Sequence, residues 1–199
     1  TNLINAINKS KENDLWRLYI ENDLIKAENR KNGEIITFNY LYEIIGKKRM
    51  EQYLDDYLRL KVDWSIEDFG RKNYPDCDDR EYGLILKDSE ISYSEITAKY
   101  TVLAESVELY GNAKEITITA KISDKKVIVN LKISEKEPTT YIEGGHFIIE
   151  FTKSFDKIRV QKSGIEIDPD CDVVLGANRG LFATDKYVKV NDFVIKPVH

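Results

Sequence analysis

The stretch Thr37-Phe38-Asn39-Tyr40-Leu41-Tyr42-Glu43-Ile44-Ile45-Gly46 places Phe38, Leu41, Tyr42 and Ile45 at i, i+3, i+4 and i+7. That spacing lines one face of an α-helix, and Gly46 stands where a left-handed C-cap would end one. The same period extends to both sides. Leu3, Ile4 and Ile7 suggest a short helix, and Asn13 or Asp14 would cap a longer one carrying Leu15, Leu18, Tyr19 and Ile25, closed by Asn32-Gly33. Met50, Tyr53, Leu54, Tyr57 and Leu58 share a face of a further helix. From Trp64 to Arg80 the pattern gives way to turn-prone residues, including Phe69-Gly70 and Asn73-Tyr74-Pro75-Asp76.

Beyond Tyr82 the period becomes two. Ile116, Ile118, Ala120 and Ile122 alternate with polar residues, Ser123-Asp124-Lys125-Lys126 turns the chain, and Val127, Val129, Leu131 and Ile133 alternate again. This predicts a β-hairpin. Further strands are expected at Ile91 to Ile96, Tyr100 to Leu103, Val107 to Tyr110 (closed by Gly111-Asn112), His146 to Phe151, Lys157 to Gln161, Gly164 to Ile167, Val173 to Leu175 and Tyr187 to Ile195. The expected fold is therefore α+β: a helical region over residues 1–80, then an antiparallel, jelly-roll-like β-sandwich over 81–199.

With 199 residues, 42% hydrophobic and 33% charged, the chain has enough apolar material for a core and is neither low-complexity nor disordered. A net charge of −5 offers no global attraction to nucleic acid or an anionic membrane. Apolar runs are short and the first residues lack a signal-peptide pattern, so a cytoplasmic or virion-associated protein without a membrane span is expected. Two cysteines, Cys77 and Cys171, make no disulfide scaffold, and with only His146 and His199 they support no structural zinc site.

One motif recurs. Gly70-Arg71-Lys72-Asn73-Tyr74-Pro75-Asp76-Cys77-Asp78 and Gly164-Ile165-Glu166-Ile167-Asp168-Pro169-Asp170-Cys171-Asp172 share Gly, four residues, then Pro-Asp-Cys-Asp. In an extended loop Asp168, Asp170 and Asp172 would project the same way. With Asp76 and Asp78 they are the candidate ligands for Ca²⁺ or another divalent cation. Turn chemistry explains the same residues, because Asp side chains bond their own backbone.

Catalytic sets are sparse, and none is assigned. His146 opens an apolar strand whose alternation turns Phe147, Ile149 and Phe151 inward and His146, Ile148 and Glu150 outward. The leading expectation is a non-enzymatic binding or assembly protein, of phage or mobile-element type, presenting a protein or glycan ligand surface. The motivation is the β pattern together with 12 Tyr, 7 Phe and 2 Trp, since aromatic residues favour interfaces. One alternative is a metal-dependent hydrolase or nuclease using the acidic turns, with Pro75-Asp76 and Asp124-Lys125-Lys126 as the motif. Another is a helix-turn-helix DNA binder built from Phe38–Ile45 and Arg49–Leu60, in which Glu51, Gln52, Asp55 and Asp56 would oppose the phosphates while Lys47, Lys48 and Arg49 attract them.

Overall fold

The computed structural model describes residues 11–57, 76–92, 94–154, 157–169, 171–172, 184 and 186–198. These residues form mainly antiparallel sheet. The first sheet contains β1 (Lys11–Glu12), β2 (Trp16–Glu21), β3 (Leu24–Asn29), β4 (Glu34–Ile44) and β10 (Glu143–Phe151) in that order, with β5 (Arg80–Tyr82) also on β4. β6 (Ile85–Ile91), β7 (Glu95–Thr101), β8 (Glu115–Ser123) and β9 (Lys126–Ser134) make the second sheet as a meander. A third contains β11 (Ile158–Lys162), β12 (Ile165–Ile167), β13 (Tyr187–Val190) and β14 (Phe193–Ile195), ordered β12-β11-β13-β14. Two helices accompany them, α1 (Lys47–Tyr57) and α2 (Ala104–Tyr110).

The helical N-terminal region is thereby corrected. Of residues 37–45, read as a helix, all but Ile45 belong to β4, whose residues Ile36, Phe38, Tyr40, Tyr42 and Ile44 alternate into the core. The helix expected from Leu15 to Ile25 is the β2–β3 hairpin, whose turn residues Asn22 and Asp23 have φ of 51° and 64°. Paired positive φ values suit the right-handed twist of a tight hairpin, and Asn and Asp tolerate them best. Asn13 does cap backbone amides, accepting from Leu15 and Trp16 at 2.9 and 2.7 Å, but it launches a strand. Asn32-Gly33 turns β3 into β4, with Gly33 at φ 69°. Gly46 is the first residue of α1's hydrogen-bonding, its carbonyl accepting from the Met50 amide at 3.0 Å, and so an N-terminal cap instead of a C-cap.

With Phe38–Ile45 in a strand, the helix-turn-helix arrangement falls away; only the helix beginning near Arg49 is found, as α1. Val107 to Tyr110, expected as a strand, forms α2, which ends at Gly111 with φ 70°. Tyr187 to Ile195 is a hairpin with Asn191 at φ 50°, not one strand. The expected β8–β9 hairpin is present, with Ile116 opposite Ile133 and Ile122 opposite Val127. The expectations at Leu3–Ile7 and Val173–Leu175, and most of the stretch 64–80, lie outside the described residues. The jelly-roll connectivity is also corrected. The second sheet is a succession of hairpins, while β5 and β10 return to β4, and β13 returns to β11, over longer stretches of chain.

One core joins the first two sheets. Leu18, Ile25, Ala27, Phe38, Tyr42 and Ile44 meet Ile96, Ala98, Tyr100, Ile116, Ile118 and Ala120, so residues from both sides of position 80 contribute to it. Fully burying each large apolar side chain contributes roughly 1.5–3 kcal/mol. Polar contacts tie the sheets at one end: Asn13 Nδ2 donates to the Asp124 carbonyl at 2.8 Å, and Trp16 Nε1 to that of Lys125 at 3.0 Å. Phe193 brings the third sheet against Trp16 and Phe151, with ring centroids 6.1 and 5.5 Å apart. No helix among the described residues is long and apolar enough to cross a membrane.

Candidate functional site

The densest polar cluster grows from the pairing of β4 with β10 and β5. Glu43 lies opposite Gly144 on one side and Glu81 on the other, while His146 lies opposite Leu41, one step along the same outward face. Glu43 has a side chain only 9% exposed, so its carboxylate needs partners to remain charged there. It has two. Arg49, from the first turn of α1, pairs through Nη1 with Oε2, and His146 Nε2 lies 2.6 Å from Oε1. Arg49 Nη2 also bonds Glu81 at 2.8 Å, and that bond is the first cause of a guanidinium pKa raised above its ordinary value.

Glycine makes this geometry possible. A Cβ at Gly144 would stand 2.7 Å from His146 Nε2 and 2.9 Å from Glu43 Oε1, so only the bare backbone lets the imidazole lie across to the carboxylate. Because Glu43 accepts, Nε2 is the donor. Nδ1 has no hydrogen-bond partner among the described residues. The result is an oriented, half-exposed imidazole on a strand at the sheet's end.

The inner face of the same strands is closed by tyrosines. The Tyr42 hydroxyl reaches the Glu143 carboxylate and lies 2.9 Å from the Tyr110 carbonyl; Lys136 pairs with Glu143 at 2.8 Å. Burial, then the bond to Glu143, raises the Tyr42 pKa far above the usual phenol range. Tyr82 donates to Glu105 at 3.1 Å and is pushed up to about 12, first by burial and then by that bond. Both therefore act as neutral donors. Tyr40, Tyr42, Tyr82, Tyr100 and Tyr110 are all buried, so these five serve the core.

The residues singled out as cation ligands are distributed over two places. Asp76 and Asp78 precede β5 and, with Cys77, Asp79, Lys47, Lys48 and Glu51, line a depression of about 430 Å³ at the start of α1. Asp79 supplies the contact that organises it, accepting from the Gly46 amide at 2.7 Å, while the Cys77 carbonyl accepts from Lys47 at 3.3 Å. A negative carboxylate there suits the positive end of the helix. Gly46 permits the approach, since its Cβ would stand 2.7 Å from the Asp78 carbonyl carbon. Burial and then the neighbouring aspartates raise the Cys77 thiol pKa, which disfavours the reactive thiolate.

The second copy of the motif follows β12. Asp168 pairs with Arg159 at 2.5 Å, its amide donates to the Asp172 carboxylate at 2.7 Å, and the Asp172 amide returns to the Asp168 carbonyl at 2.8 Å. These contacts close a turn. Asp170 lies outside the described residues. Cys77 is a free thiol. Among the described residues no three His, Cys, Asp or Glu side chains are grouped as metal ligands would be. Asp124 sits at the β8–β9 turn, its carbonyl engaged by Asn13.

The chain matches no family model, no curated protein and no solved structure. Its functional reading rests on the geometry alone. Glu43, Arg49 and Glu81 escape the sequence because they converge only once β4, β5, β10 and α1 are assembled; the visible trace is Gly144-Gly145 immediately before His146.

Proposed function

We propose that the chain is a non-enzymatic binding or assembly protein that receives an added β-strand from a protein partner along the edge of its first sheet. The observation that carries this reading is β10. It is a nine-residue strand, Glu143-Gly144-Gly145-His146-Phe147-Ile148-Ile149-Glu150-Phe151, paired among the described residues along one side only, with β4. It contains no Lys and no Pro, the residues that usually guard such an edge, and Gly145, His146 and Glu150 are exposed. Unpaired peptide groups in a row give an extended partner its affinity, and alternate side chains give selectivity.

Amide hydrogen exchange on a dilute sample tests this. Gly145, Phe147 and Ile149 should exchange faster than His146 and Ile148, whose amides face β4. Equal, strong protection of both sets at high dilution would mean the edge is covered within one chain and would remove the reading.

A divalent-cation reading keeps one observation, that Asp76, Asp78 and Glu51 line the same depression, although they are not grouped there as ligands would be. Lys47 and Lys48 stand in the same wall and already supply positive charge. Calorimetric titration with Ca²⁺, Mg²⁺ and Mn²⁺ separates the two: binding heat abolished by Asp76→Asn would favour the cation.

A further inference from the structure

We propose that the strand received at β10 is β10 of a second copy of this chain, paired antiparallel about a twofold axis at Ile148. This inference rests on the reading of β10 as an open edge and names its partner.

Two hydrogen bonds define which peptide groups are available. The Ile45 amide donates to the Ile142 carbonyl at 2.9 Å, and the Thr152 amide to that of Ile35 at 3.1 Å. Even-numbered residues of this segment thus turn their peptide groups toward β4. By the alternation of an antiparallel ladder, Gly145, Phe147 and Ile149 turn theirs to the open side. An identical strand brought up antiparallel must match odd residues with odd, so the twofold axis passes through a residue and not between two.

Among those registers, complementarity selects one. With the axis at Ile148, that residue meets its own mate, Phe147 meets Ile149, His146 meets Glu150 and Gly145 meets Phe151, each of the last three pairs occurring twice. Directly opposed residues share a face, so Phe147 and Ile149 extend the apolar side while His146 and Glu150 stay on the polar side. Moving the axis to Phe147 or Ile149 sets the apolar Ile148 against His146 or Glu150 and leaves no polar partner opposite either. At Glu150 the two carboxylates would oppose each other.

The geometry around His146 fits this partner. Its Nε2 is already held 2.6 Å from Glu43, which orients the ring, and in the imidazolium form Nδ1 is a second donor that the partner's Glu150 carboxylate can accept from. Glu150 has no hydrogen bond or ion pair within its own chain among the described residues. Such an interface is isologous, the same patch on both copies, and joins two first sheets into one continuous sheet.

Sedimentation velocity of the full chain across a concentration series should give a reversible dimer at twice the monomer mass. Ile148→Lys, which sets two ammonium groups on the axis, should weaken it at least about tenfold. Register is read separately. In a Cys77→Ser, Cys171→Ser background, Ile148→Cys should form an intermolecular disulfide on mild oxidation, because directly opposed residues of a non-hydrogen-bonded pair sit about 4.5 Å apart at Cα. Thr119→Cys, on the outer face of the second sheet, should not. A chain that stays monomeric to about 100 µM, or a dimer that ignores Ile148→Lys and is not trapped by Ile148→Cys, overturns the second-copy assignment. If the chain is monomeric yet its Gly145, Phe147 and Ile149 amides exchange freely, only this inference fails. If those amides are protected in the monomer, the open-edge reading fails with it.

Discussion

β9 and β10 are both nine-residue strands, and each stands at the end of its sheet's strand order among the described residues. They treat that position differently. β9 reads Lys126-Val127-Ile128-Val129-Asn130-Leu131-Lys132-Ile133-Ser134, with exposed lysines near both ends. β10 has glycines and a histidine in its first half and an apolar second half interrupted by one carboxylate. Lysine on an edge is a recognised defence, since a neighbouring strand would have to desolvate it. The contrast is that lysines stand on one terminal strand and none on the other, which an ordered polar cluster, Glu43 with Arg49 and His146, backs instead.

The largest effect should come from erasing that difference. Lys126→Val together with Lys132→Val unguards β9, and the variant should form concentration-dependent species beyond a dimer, visible by light scattering; a variant no more associated than the parent would mean these lysines guard nothing. Next comes the backing of β10. Arg49→Ala leaves the Glu43 carboxylate buried with His146 as its remaining partner, a loss of about 3 kcal/mol, equivalent to roughly 6–12 °C in Tm for a chain of this size. Lys132→Ala, on the exposed edge, should change stability by less than about 0.5 kcal/mol. Thermal melts of the two variants side by side provide the check.

Gly144→Ala should cost less, about 1–2 kcal/mol, since one methyl must displace His146 or the Glu43 carboxylate. Loss of the Nε2 proton signal held by Glu43 would show that the imidazole had moved. The smallest effect under ordinary conditions is alkaline. The Tyr82 phenol is raised above its ordinary value to about 12 in the folded chain, so its contribution to stability is complete below pH 10 and is lost as pH rises from 10 to about 12. Tyr42 shifts in the same direction. Chemical-denaturation midpoints should therefore be flat in this respect up to pH 10 and fall above it, with tyrosinate absorbance appearing as the chain unfolds.

How much of this was legible in the sequence differs from strand to strand. β8 and β9 were readable because alternation and a polar turn agreed, and each strand has one wet face. β4 was not. Phe38, Leu41, Tyr42 and Ile45 satisfy a helical period while Ile36, Phe38, Tyr40, Tyr42 and Ile44 satisfy a strand period, and the two readings share residues. The strand also buries Thr37 and Glu43 on its second face, so the clean alternation of a half-solvated strand is blurred. Val107 to Tyr110 misled for the opposite reason: a seven-residue helix is too short to declare a period. The inward and outward sets of β10 were readable residue by residue. Its partners in the polar cluster were not, because Glu43, Arg49 and Glu81 are brought to His146 by long-range pairing. The acidic turns drew attention through repetition, whereas in the fold Asp168 and Asp172 close a loop onto each other and onto Arg159.

The central claim, that the β10 edge is open in one chain and filled by a second, is tested most directly by amide exchange at Gly145, Phe147 and Ile149 measured from dilute to concentrated solution. The account predicts fast exchange when dilute and strong protection as concentration rises, with His146 and Ile148 unchanged. Exchange at those three amides that is independent of concentration would contradict it.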